Sequence, residues 1–177
     1  DRVAPRYDLV NRVMSIGLDV RWRRLAAAAA DVSLGGRALD VCCGTGDLTF
    51  ELAQRVGPGG NATGLDFSEQ MLERARDKAG DRGLATTFVQ GDALAMPFVD
   101  DTFDGATVAF GARNLSDLEA GIREMARVVR PGGQVVILEV TTPRRLRALH
   151  AVWFDRVVPR LAGLIGGDRA AYRDRPA

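Results

Sequence analysis

Strands alternating with helices predict an α/β fold in which a mostly parallel sheet carries helices on both faces, and three observations lead there. Short apolar runs recur along the chain, several ending in glycine or aspartate, and most are followed by apolar residues at helical spacing. The length of 177 residues suits one domain able to bury about 70% of the surface its unfolded chain exposes. Apolar residues make up 46% and charged residues 27%, near globular averages, and no apolar run approaches the ~18 residues of a membrane span. Disorder, collagen-like repeats and an integral membrane protein are excluded.

The elements follow in order. A helix is expected from near Val10 to Asp31, with Leu18, Trp22 and Leu25 on one face, so residues 1–34 read as an N-terminal helical flap. The core is expected over 35–143. Its first strand is Arg37–Cys43, followed by a glycine turn and a helix with Leu48, Leu52 and Val56 in register. Ala62–Asp66 is the second strand, and Ser68 is the expected cap of a helix bearing Met71, Leu72, Ala75 and Ala79. Thr86–Gly91, Phe103–Phe110 and Gln134–Val140 are strands three to five. Between the last two, Ser116-Asp-Leu-Glu119 reads as a capping box for a helix with Leu118, Ile122, Met125 and Val129 as its buried stripe. Arg130-Pro-Gly-Gly133 ends that helix. Residues 144–177 read as an amphipathic helical segment with Leu146, Leu149, Trp153, Val157, Leu161 and Ile165 on one side, broken at Pro159. The whole is expected to be a single domain.

Net charge is +1, but it is unevenly spread: about +3 over 1–24, +5 over 144–177 and −7 between. Basic ends fit nucleic acid, an anionic membrane surface or solvated arginine-rich helices. The two cysteines, Cys42 and Cys43, are adjacent and His150 is the only histidine. No disulfide scaffold and no metal site are expected, the cysteines read as small packed residues, and a reducing cytosol is the natural location. The chain opens at Asp1 without a leader pattern, so a targeting segment is expected to be absent or to lie outside this sequence.

Ligands of such sheets bind at the carboxyl ends of the strands, so the residues just after each strand carry the chemistry. Asp40-Val-Cys-Cys-Gly44-Thr45-Gly46-Asp47 follows strand one and opens a helix. Glycines there let the backbone turn sharply and a ligand approach closely. The dinucleotide fingerprint fails, because Thr49 stands three residues after Gly46, and no Gly-Lys-Ser/Thr phosphate loop exists. Asp66, ending strand two 20 residues beyond Gly46, is placed to accept hydrogen bonds from both hydroxyls of a ribose.

Asp40-x-Cys42-x-Gly44-x-Gly46 resembles the D-x-G-x-G-x-G motif of class I S-adenosylmethionine-dependent methyltransferases, whose fold is Rossmann-like, with Cys42 in place of the first glycine. Four further features resemble the UbiE/MenG quinone-biosynthesis C-methyltransferases, over nearly the whole chain: Ala4-Pro-Arg-Tyr7-Asp8-Leu-Val-Asn11; Ser15-Ile-Gly17 with Trp22-Arg23; Gly91-Asp92-Ala93 with Pro97-Phe98; and Phe110-Gly111-Ala-Arg113-Asn114. The paired cysteines are similar to the cyanobacterial and plastid branch, which methylates a phylloquinone precursor.

The resemblance implies S-adenosyl-L-methionine as cofactor. Thr45 with the Gly44 and Gly46 backbone would hold its methionine end, Asp66 the ribose, and Asp92 and Ala93 the adenine, with Phe67 a further cofactor-binding candidate. Ala109 would line the pocket from strand four, and Asp40 and Asp47 would orient water or the ammonium group. It implies C-methylation of a reduced prenylated quinol, of the demethylmenaquinol or demethylphylloquinol type; Arg113 is then the candidate to stabilise a phenolate or activate water beside it, with Asn114 and Tyr7 as positioning candidates, while the plain alternative for Arg113 is an ion pair with a carboxylate such as Asp117. A prenyl tail implies peripheral contact with the inner face of a membrane through the basic ends, while the stripe around Trp153 reads equally as a dimer or core face. Family members continue past a tyrosine resembling Tyr172 into two last strands, which this sequence is expected to lack, and Asp174-Arg-Pro stands where they read Tyr-Leu-Pro. A methyltransferase of the same fold acting on another small molecule or RNA, and a non-catalytic cofactor-binding scaffold, are the alternatives; no nucleic-acid partner is expected, for want of aromatic platforms or groove motifs.

Overall fold

The structure, a computed structural model, describes residues 17–80 and 82–139. The chain divides into two compact units, one of residues 22–139 and one joining 1–21 to 140–177. Only Gly17–Arg21 of the latter are described, so the earlier part of the N-terminal flap, Tyr7, and the amphipathic segment 144–177 lie outside the described residues.

Five parallel strands form one sheet: β1 (Arg37–Val41), β2 (Asn61–Asp66), β3 (Thr86–Gln90), β4 (Phe103–Ala109) and β5 (Val129–Leu138), in the order β3-β2-β1-β4-β5. The chain winds outward from β1 one way and then crosses to β4, so the order reverses between β1 and β4, and a crevice opens at their carboxyl ends. Among the described residues four helices accompany the sheet: α1 (Leu18–Ala29), α2 (Asp47–Val56), α3 (Glu69–Gly80) and α4 (Leu118–Val128).

Alternation along the strands sorts the core into two layers. Leu39, Val41, Leu65, Ala106 and Val108 share one cluster with Met125 and Val128 of α4. Ala38 and Ala62 point the other way and pack with Ala26 and Ala27 of α1, Ala30 just beyond it, and Leu48, Leu52, Ala53 and Val56 of α2. Burial on both faces is why β1 reads as a nearly continuous apolar run.

Four local expectations are corrected. In α4 Met125 is buried together with Gly121 and Val128, while Leu118 and Ile122 are exposed and Val129 falls in β5. The buried face of α1 is made by Ala26 and Ala27, while Leu18 and Leu25 are exposed, Leu25 by 58%; the alanines join a cluster with Ala38 and Ala62 of the sheet and the apolar residues of α2. The N-cap of α4 is Asp117, whose carboxylate accepts the Ala120 N–H at 2.9 Å, so Ser116 lies one residue outside the cap. Finally, β5 begins at Val129, directly after α4 and before Pro131; Val129 pairs with Phe103, and the register then shifts before Gln134 pairs with Gly105.

Candidate functional site

At the end of β1 the chain turns twice through left-handed backbone, at Cys42 (φ 55°) and at Gly44 (φ 55°), before Gly46 (φ 83°) leads into α2. Cys42 thus adopts at the first motif position a conformation that glycine adopts with less strain. A second left-handed non-glycine residue, Phe110 (φ 59°), stands at the end of neighbouring β4. The two turns meet: a Cβ on Gly111 would lie 2.5 Å from the Cys42 Cβ. Gly111→Ala should therefore destabilise the fold by about 1–3 kcal/mol, and adding Cys42→Gly should restore part of the loss; additive melting shifts in the two single variants and the double variant would sink this account.

Asp66 ties β2 to the glycine turn. Its Oδ2 accepts the Gly44 N–H at 2.8 Å and its Oδ1 the Ser68 N–H at 2.9 Å. Each carboxylate oxygen can accept two hydrogen bonds and here accepts one from the backbone, so both keep capacity for ligand hydroxyls. The next ring, Phe67, is 79% exposed, an apolar face held beside that carboxylate. A Cβ on Gly44 would meet nothing within 4 Å, which leaves room against the turn.

Asp40 is buried beneath the turn at 1% exposure. Thr49 Oγ1 donates to its Oδ2 at 2.7 Å and Thr107 Oγ1 to its Oδ1 at 3.1 Å. Burial pushes its pKa up to about 7, against the opposing pull of those hydroxyls and of Arg23. Asp47, on the first turn of α2, is held by Lys78 Nζ at 2.6 Å, with Arg23 at 4.0 Å from its other oxygen. Lys78 Nζ also donates to Thr45 Oγ1 at 3.1 Å.

After β3, exposed Asp92 accepts the Leu94 N–H at 2.8 Å. The Ala93 methyl is buried in the core with Leu65 and Met96, so only its backbone is placed to meet a ligand. Ala109 ends β4, half-buried and paired with Leu138.

Arg113 and Asn114 lie exposed on the 3-10 turn Ala112–Asn114, just past β4. The carboxylate facing Arg113 is Glu139, beyond β5, whose Oε1 accepts from Nη1 at 3.0 Å; Asp117, the nearest acidic residue in sequence, is occupied as the α4 cap. Trp22 of α1 approaches Phe110 with ring centroids 6.5 Å apart, and the Arg23 guanidinium lies 5.5 Å from the same ring.

The field at the crevice is anionic. Burial pushes the Cys42 thiol up to about 11, with Asp66, Asp40 and Asp92 adding to it in that order. Burial, then Asp40 and Asp66, raise the Cys43 thiol further. Both thiols are free and poor nucleophiles. A cation carrying a ribose suits this donor and acceptor set, and the residues present therefore fit S-adenosylmethionine. Among the described residues no group of three His, Cys, Asp or Glu side chains is placed to hold a metal ion.

Sequence reading had not assigned roles to Lys78 or Glu139. Glu139 left no signal in the sequence. Lys78 did: it is the only lysine among 24 lysines and arginines.

Comparison with known proteins places the chain. The family model for the ubiE/COQ5 methyltransferase family matches residues 1–174. The chain is 47% identical over 176 residues to a demethylmenaquinone methyltransferase of Thermus thermophilus, covering 98% of this chain and 80% of that one. It is 46% identical over 178 residues to the ubiquinone/menaquinone biosynthesis C-methyltransferase UbiE of Geobacter sulfurreducens, covering 98% and 69%. Among solved structures, a putative S-adenosyl-L-methionine-dependent methyltransferase of Methanococcus maripaludis superposes with a TM-score of 0.69 at 22% identity, over 91% of this chain and 73% of that one, a likeness of fold. Other solved structures of this fold are longer, and the chain spans about half of their length. With a match along nearly its full length and a glycine turn, carboxylates and arginine turn at the strand ends, the chain belongs to the ubiE/COQ5 methyltransferase family.

Proposed function

We propose that this chain methylates a ring carbon of a reduced, prenylated quinone precursor, using S-adenosylmethionine, in menaquinone or ubiquinone biosynthesis. The observation that carries the cofactor half is Asp66, held on the Gly44 N–H at the crevice with acceptor capacity left over. The names of the relatives support the substrate half.

When bound, the cofactor supplies an electrophilic methyl group. The chain's residues then have three tasks. Asp66 and Phe67 hold the nucleoside, with Asp92 and the Ala93 backbone on the adenine and Ala109 lining the pocket. The glycine turn and Thr45 hold the methionine end. Arg113 stabilises the phenolate that makes a ring carbon nucleophilic, its own position set by Glu139, with Asn114 and Tyr7 positioning the ring. The apolar pair Trp22 and Phe110 keeps water from the reacting face.

Arg113→Ala should lower turnover about 100-fold while leaving cofactor affinity within threefold; a loss of cofactor binding instead would remove Arg113 from the chemistry. The function itself is tested by calorimetric titration with S-adenosylmethionine followed by methyl transfer to dithionite-reduced demethylmenaquinone. Binding with transfer is expected. Binding without transfer would favour a different acceptor or a scaffold role, and no binding would overturn the cofactor reading.

A prenylated acceptor resides in a bilayer, and the basic ends of the sequence suit peripheral contact with an anionic leaflet at about 1 kcal/mol per arginine. Among the described residues no helix is long and apolar enough to cross a membrane. Liposome flotation at low salt tests the contact, and its absence there would end the idea.

A further inference from the structure

Lys78 stands out twice. Every other cationic side chain in the sequence except His150 is arginine, so whatever favours arginine in this chain is overridden at one position. That position, near the end of α3, reaches across to the glycine turn. Its Nζ donates to Asp47 Oδ1 at 2.6 Å and to Thr45 Oγ1 at 3.1 Å, and sits 5.7 Å from the centre of the Phe50 ring. The side chain is about a quarter exposed.

Lysine suits the task for a physical reason. A compact ammonium with three rotatable donors fits between the Thr45 hydroxyl and the Asp47 carboxylate, where a guanidinium, wider and planar, would need a broader gap. The bridge joins three elements: α3, the turn through Thr45, and the first turn of α2 through Asp47. Asp47 in turn lies 4.0 Å from Arg23 of α1. Because Thr45 and the first turn of α2 face the methionine end of the cofactor in the reading above, whereas Asp66 and Phe67 face the nucleoside end, the lysine acts on one half of the ligand only.

We propose that Lys78 is a positioning residue for recognition of the amino-acid end of the cofactor, acting through Thr45 and Asp47. The inference rests on the S-adenosylmethionine reading of this site. With Lys78 in place, the Thr45 hydroxyl and the start of α2 are held where the amino-acid group is bound; without it, the nucleoside half keeps its contacts and the amino-acid half loses an aligned partner.

The test compares two ligands by calorimetry on the full chain. S-adenosylhomocysteine carries both halves, while 5′-methylthioadenosine lacks the amino-acid group. Lys78→Met should weaken S-adenosylhomocysteine about tenfold, the worth of one charge-assisted hydrogen bond, Lys78→Gln about threefold, and both should leave 5′-methylthioadenosine within twofold. Equal weakening of both ligands would mean that Lys78 only stabilises the fold, and no weakening of either would mean that the bridge is idle; each overturns the proposal. Failure of the unsubstituted chain to bind either ligand would overturn the cofactor reading instead. A melting curve for each variant separates misfolding from altered binding, and Lys78→Gln, which can still donate to Thr45, serves as the milder variant should Lys78→Met fold poorly.

Discussion

Asp66→Ala should weaken S-adenosylmethionine binding at least 100-fold. Two hydroxyls of a ribose donating to an ionised carboxylate contribute about 1.5–3 kcal/mol each, so their joint loss corresponds to two orders of magnitude or more. The same carboxylate also accepts the Gly44 and Ser68 N–H groups, so the variant also loosens the glycine turn. Asp66→Asn separates the two effects, because an amide oxygen still accepts one of these N–H bonds while the charge is gone. Calorimetry on both variants, with near-ultraviolet circular dichroism as a check of packing, measures this. An affinity within threefold of the unsubstituted chain in both would show that the ribose binds elsewhere.

Folding stability should fall as pH rises from about 4 to about 7, and Asp40 should be the cause. Its pKa is pushed up to about 7 by burial, from 3.8. Between those values the native state holds a proton that the unfolded chain has released. This contribution is complete below the unfolded value and is lost as pH climbs through the folded one. At about 1.4 kcal/mol per pH unit, some 2–3 kcal/mol should disappear between pH 5 and pH 7. Glu124 works in the opposite sense, held below its usual value first by Arg127, but it acts at the acid end, outside that window. Asp40→Asn removes the titrating group and keeps an acceptor for Thr49 or Thr107. Urea unfolding at pH 5, 6, 7 and 8 should give a sloping profile for the unsubstituted chain and a flatter one for the variant. Parallel profiles would show that Asp40 is ionised throughout.

Legibility of this molecule in its sequence divides by distance along the chain. The five strands lie where the apolar runs place them, to within a residue or two at most ends, because a run of buried β-branched and apolar residues is a local signal. Adjacent motifs were legible in the same way: the glycine turn, Asp66 at the end of β2, and Phe110-Gly111 at the end of β4 each sit on a strand end that the sequence marks. Even the odd Cys42 is understandable from its position, since it occupies a motif glycine's place and takes a glycine's backbone conformation.

Contacts between elements were not legible. The partner of Arg113 is Glu139, 26 residues away, because β4 and β5 run side by side and end at the same level; Asp117, four residues away, is turned aside by its role in capping α4. Lys78 meets the glycine turn only because α3 lies beside β3 and β2 and returns past the turn. Which face of α1 is buried depends on the cluster it joins, with Ala38, Ala62, Leu48 and Leu52, and that took its alanines and left Leu18 and Leu25 exposed.

The sequence alone therefore determined the fold class and which residues stand at the end of each strand, which follow from periodicity within a few neighbouring residues, and it carried the resemblance to the family in motifs spread along the chain. The tertiary structure decided which of those residues touch: Asp66 on Gly44, Lys78 between Thr45 and Asp47, Glu139 on Arg113. Lateral adjacency in a parallel sheet is set by the order β3-β2-β1-β4-β5, and that order is a property of how the crossovers pack and not of any local run of residues.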